Sequence, residues 1–149
     1  MRWALTTFWL ASSFPLMGCV GPFSEDVESH YADVTAARAA GAIGWDQWIP
    51  EIVPDSATDI RELHNIDTNR TWGCFRFGQG EDGSVRRTLA ALGARPGRGP
   101  VSERPRFFFT ELAWWPRSMT SPTIEAYEVF DVLVGIDEND QLVCFHRHR

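Results

Sequence analysis

The 149-residue chain carries 20 acidic side chains against 14 cations, all of them arginine, for a formal net charge of −6. That length supports one domain with a real core and leaves no room for a second. The acidic balance argues against nucleic-acid binding, and the absence of lysine excludes a Schiff-base lysine, a P-loop lysine and a Ser-Lys dyad.

Arg2 is the only charge before Glu25, and the stretch behind it is rich in Trp, Ala, Leu, Phe and Met. A basic start followed by about 15 apolar residues reads as a cleavable signal sequence, since a spanning helix needs about 20. Residues 1–18 are assigned to the signal, 19–24 to a tether and 25–149 to one domain. Leu16, Met17, Gly18 and Cys19 resemble the lipobox of bacterial lipoproteins, with an aliphatic residue at −3 and a small one at −1. That resemblance implies a diacylglycerol on the Cys19 sulfur and stable membrane anchoring. Val20 stands where an inner-membrane retention Asp would follow, which implies the outer membrane, facing the periplasm.

In chain order, Val27, Tyr31 and Val34 recur at three- to four-residue spacing and predict a helix over 25–40, stopped by Gly41. Two prolines keep 44–54 extended. Ser56 to Asp59 has the form of a capping box, predicting a short helix to Asn65 with Ile60, Leu63 and His64 on one face. Asp67, Thr68 and Asn69 form a turn, and 72–77 a strand. Ser84 opens a third helix with Val85, Leu89 and Leu92 on one side and Gly93 at its end. The run 94–100 reads as an exposed loop, 106–115 as an aromatic-rich strand, 116–122 as a loop and 127–136 as one central strand. Asp137, Glu138, Asn139 and Asp140 turn that strand into a last one, 141–147. The expected fold is α+β: one mostly antiparallel sheet with about three helices packed on it.

Residues Ile49, Pro50, Val53, Pro54, Ser56, Ala57, Asp59, Ile60, His64, Asn65, Asp67, Thr68 and Asn69 together resemble a pattern in small bacterial lipoproteins of unknown function. The resemblance implies an envelope address and carries no activity.

With Cys19 committed to lipid, Cys74 and Cys144 remain in an oxidising compartment, either as a disulfide or as two buried thiols. Cys144, His146 and His148 alternate along the last strand as metal ligands would, but three ligands on one strand rarely enclose a metal, and no metal or cofactor is assigned. Asn65, Asp67 and Asn69 start like a calcium loop that fails at Arg70 and Arg76. No catalytic residues are assigned, for want of a nucleophile elbow, a zinc-protease motif or a phosphate loop. His64, with Asp67 nearby, is the one histidine expected near the core.

Electrostatics supplies the sharpest asymmetry: Arg86, Arg87, Arg95, Arg98, Arg104 and Arg106 lie within 84–106 against the single acid Glu103. These six are the candidate anion-binding residues, suited to lipid or lipopolysaccharide phosphates. Trp45, Trp48 and Ile49, and the pair Trp114 and Trp115, are either aromatic platforms or core. The functional expectation is a non-catalytic accessory lipoprotein that contacts an envelope protein, or alternatively a module for an anionic or glycan envelope ligand. In both cases the membrane is a partner through the N-terminal lipid.

Overall fold

A computed structural model describes residues 25–107 and 110–148. The signal, lipobox and tether assignments, together with Phe108, Phe109 and Arg149, lie outside the described residues.

Seven strands form one antiparallel sheet: β1 (Asp26–Asp33), β2 (Thr58–Asn65), β3 (Thr71–Arg76), β4 (Arg95–Arg98), β7 (Glu125–Val129), β8 (Val132–Asp137) and β9 (Leu142–Arg147). Their spatial order is β1-β2-β3-β9-β8-β7-β4, so the last strand lies at the centre. A two-strand hairpin, β5 (Arg106–Phe107) and β6 (Thr110–Glu111), stands apart from it. Two α-helices are described, α1 (Val34–Ala39) and α2 (Asp82–Ala91), with a 3-10 turn at Arg117–Thr120.

The fold is thus mostly β, and two of the expected helices are corrected. Half of 25–40 is strand β1, with helix only at 34–39, and 58–65 is strand β2. Val27 with Tyr31, and Ile60 with His64, are four residues apart, a spacing that puts both members on one face of a helix or of a strand. The helical remnant begins where Asp33 caps it, its Oδ1 accepting from the Ala36 amide at 2.8 Å. No capping box forms at Ser56, because Asp59 has φ 47° and the Ser56 hydroxyl donates instead to Glu81.

Further corrections concern turns and edges. The expected loop at 94–100 holds β4, which pairs with β7 as an edge strand, where Pro96 is tolerated. The single strand over 127–136 is two strands reversing at Phe130 and Asp131, with Phe130 at φ 53°. The aromatic stretch 106–115 contributes only the short β5–β6 hairpin. The β8–β9 hairpin stands as expected, with Asp137 opposite Leu142 and the Asp137 carboxylate accepting from the Asn139 amide.

Side chains leave the sheet on two faces. On one, Ile60, Phe75, Phe145, Val134 and Val143 pack against Val34 and Ala37 of α1, Val85 and Leu89 of α2, and Ile49 and Ile52 of the 42–54 segment. On the other, Leu63, Cys74 and Cys144 are covered by Val101, Leu112, Trp115 and Met119 from the 99–124 segment. Cys74 and Cys144, paired across β3 and β9, are joined as a disulfide with Cα atoms 4.0 Å apart.

Two glycines make room for side chains packed on the sheet. A Cβ at Gly73 would lie 2.2 Å from the Phe145 ring, and one at Gly135 would lie 2.4 Å from Val101 and 2.6 Å from the Met119 sulfur.

A cationic, ring-lined cleft at one end of the sheet

The cleft is built from the start of β3 and the end of β9. Before β3, the 66–70 turn is held by Asn65, whose Oδ1 accepts from the amide and the hydroxyl of Thr68, both at 2.8 Å. The turn delivers Arg70 to the edge of the sheet. Trp72 then faces His146 directly across the β3–β9 pair. The two rings stack with centroids 5.0 Å apart and an interplanar angle of 15°, and His148 continues the stack 5.7 Å beyond His146.

The far wall comes from the 99–124 segment. Trp72 Nε1 donates to the Ser102 hydroxyl at 2.9 Å, and Arg104 is paired with Glu111 across the base of the β5–β6 hairpin. Arg70, Trp72, Ser102, Glu103, Arg104, Arg106, Glu111, His146 and His148 are among the residues that enclose a space of about 760 Å³.

His146 Nδ1 lies 3.1 Å from the Thr71 carbonyl. A carbonyl only accepts, so Nδ1 carries the hydrogen and Nε2 is left as the site of further protonation. Burial pushes the His146 imidazole below its ordinary value of 6.5; the Thr71 carbonyl opposes this, while the charges of His148 and Arg70 reinforce it. An anion in the cleft would relieve that repulsion.

Of the six candidate arginines, Arg104 and Arg106 reach this cleft. The other four do not. Arg86 is held by Asp82, Glu125 and Glu138, its Nε donating to Glu125 at 2.8 Å. Arg95 pairs with Glu128 at 2.8 Å, Arg98 Nη1 donates to the Thr123 carbonyl at 3.4 Å, and Arg87 lies exposed on α2. Two of these four, Arg86 and Arg95, are therefore answered by acids, those of Arg86 including Asp82 of its own helix. Sequence reasoning missed Arg70 and Trp72, which sit in β2–β3 rather than in the arginine run; the alternation of His146 and His148 was the signal that pointed to this end of β9.

The remaining sequence candidates are structural. Cys144 is in the disulfide, and among the described residues no group of His, Cys, Asp and Glu is placed to hold a metal. Trp48 stacks on His64 at 3.9 Å and 8°, Ile49 is buried, and Trp45 meets the exposed Phe130 edge-on at 5.1 Å. Trp115 is buried, while Trp114 Nε1 donates to Glu28 at 2.6 Å. His64 does not meet Asp67 but binds Glu62, its Nδ1 2.9 Å from a carboxylate that is only 1% exposed.

The fold and the cleft define a disulfide-linked, single-sheet β domain with a cationic, ring-lined recess at one end. Residues 25–76, from the first strand through the third, match the family model of the YbbD head domain. No curated protein and no solved structure matches the chain. Arg70 and Trp72 fall inside the matched segment, whereas the rest of the cleft falls outside it.

Proposed function

We propose that this chain is a lipid-anchored protein of the bacterial envelope whose folded domain is a binding module for an anionic group, taken up in the Trp72–His146 cleft. The observation that carries the reading is the convergence of Arg70, Arg104 and Arg106 on a stack of three rings, two of them imidazoles. Guanidinium groups bind phosphate and carboxylate through paired N–H donors, and a protonated imidazole adds a further charged donor. The address is supported by the Leu16 to Cys19 pattern and by the Cys74–Cys144 disulfide, a bond that persists in exported proteins.

Titration with inorganic phosphate, followed by the NMR signals of the His146 and His148 rings, tests it. Saturable shifts are expected, with tighter binding as the pH is lowered and His146 takes up its second proton. Rings that ignore phosphate at every pH would refute the cleft as an anion site.

A second reading, a contact protein for another envelope protein, rests on a different observation. Phe130 is 71% exposed at the tip of the β7–β8 hairpin with Trp45 against it. In-cell crosslinking from position 130 would yield one protein adduct if that tip is an interface, and none if it is not.

A further inference from the structure

We infer that the cleft's ligand is a phosphate of the membrane itself, a lipid headgroup, so that the domain docks by its Arg70–His148 end onto the bilayer beneath it. The inference rests on the anion-binding reading above and adds the source of the anion. It is carried by where the chain enters the fold. Val27 of β1 is in register with His64 of β2, His64 with Thr71 of β3, and Thr71 with Arg147 of β9. One row across the sheet therefore joins the start of β1 to the end of β9.

Three inter-strand spacings of about 4.8 Å put these ends about 14 Å apart. Arg70 immediately precedes β3, and His146 and His148 flank Arg147, so the cleft opens at the end of the sheet where the chain arrives. Cys19 precedes Asp26 by seven residues, which span at most about 25 Å when fully extended. A lipid on Cys19 would thus hold this end of the domain, and not the opposite one, within reach of headgroups.

The charges around the cleft make the contact local. Its cations are Arg70, Arg104 and Arg106, with His146 and His148 when protonated, and its acids are Glu103 and Glu111. Beside it, on the β1–β2 edge, Glu25, Asp26 and Asp67 crowd together, and the Glu25 carboxyl is raised above its usual range by its hydrogen bond to Asp67. That edge repels an anionic surface. A general electrostatic attraction of the whole end is therefore not what the structure offers, and a phosphate seated between the arginines and the imidazoles is.

The test uses the exported chain carrying Cys19→Ser, so that no acyl chain contributes to binding. Co-sedimentation is measured with phosphatidylglycerol and with phosphatidylcholine vesicles, together with carbethoxylation of His146 and His148 read by mass spectrometry. Expected are partition onto the anionic vesicles alone, protection of both histidines by those vesicles, and a loss of partition of about tenfold for Arg70→Ala or Arg106→Ala. Both arginines are surface residues whose removal leaves the core intact, and an unchanged urea midpoint confirms folding. Protection by inorganic phosphate without protection by vesicles would overturn the membrane source and leave the anion site standing. Protection by neither would overturn both. Vesicle binding that leaves the histidines reactive, or that survives both arginine variants, would place the contact elsewhere and overturn the inference.

Discussion

Glu62 is the least expected residue in the molecule: a carboxylate on a central strand position, 1% exposed, with His64 as its partner and the Phe145 ring beside it across Gly73. Burial raises its pKa above the usual 4.5, and the opposing hydrogen bond and charge of His64 do not cancel that. The folded state therefore binds the proton more tightly than the unfolded one. Stability is fully present below the ordinary glutamate value and declines as the pH rises through the elevated folded value. Glu62→Gln keeps an oxygen that can accept from His64 Nδ1 and removes the buried charge. By urea denaturation it is expected to match or exceed the wild type at neutral pH, with the difference vanishing in acid. Glu62→Ala leaves His64 without its partner and is expected to cost about 1–3 kcal/mol. A Gln variant weaker than wild type at neutral pH, or an Ala variant without effect, would show that the pair is not what the burial implies.

At the scale of elements, two glycines make room for their neighbours, Gly73 for the Phe145 ring of the adjacent strand and Gly135 for Val101 and Met119 of the covering segment. Gly73→Ala and Gly135→Ala each place a methyl inside an occupied volume, and each is expected to destabilise by about 1–3 kcal/mol in chemical denaturation. Gly135→Ala should in addition loosen the 99–124 segment, visible as faster amide exchange at Val101, whose N–H bonds the Met119 carbonyl. This scale is also where the sequence was least legible. Both α2 and the β8–β9 hairpin could be read because each carries a clear local signal, a Val85–Leu89 face and a run of four turn residues. β1 and β2 could not: Val27 and Tyr31 are spaced by four, which satisfies both periods, and Ile60 and Leu63 are spaced by three, as on a helix face, although the strand turns them to opposite sides. Glu62 gave no signal for a strand, because it shares the buried face with Ile60 and so breaks the polar–apolar alternation there. The Phe130 reversal was hidden for a related reason. Its turn uses Phe and Asp rather than Gly or Asn, and a bulky side chain at positive φ is an uncommon choice.

For the whole molecule, the cysteine arithmetic carried through: two cysteines 70 residues apart in sequence meet across adjacent strands. In the chain-entropy model a loop of that size contributes about 4 kcal/mol through the unfolded state. Reduction, or Cys74→Ala with Cys144→Ala, is expected to lower stability by up to that amount, checked by the denaturation midpoint with and without reductant. Unreduced protein that takes up two equivalents of alkylating agent after unfolding would rule the bond out. Cys19→Ala is expected to move the protein from the membrane fraction to the soluble one on cell fractionation; retention in the membrane would remove the anchor from the proposal. The cleft was only half legible. His146 and His148 stood out by alternation, but Arg70, Trp72 and Ser102 meet them only through a sheet order that no local pattern encodes. Arginine density pointed at a run of sequence, whereas the cations that line the cleft are Arg70, from outside that run, and only Arg104 and Arg106 from within it.

The position of β9 has a consequence for biogenesis. The strand that joins β1-β2-β3 to β8-β7-β4 follows the other described strands in the chain, so the two halves of the sheet cannot be joined before β9 is made. Pairing over so long a separation makes folding slow. The arrival of β9 also brings Cys144 to Cys74 and His146 to Trp72, so closure of the sheet, the disulfide and the cleft are completed together.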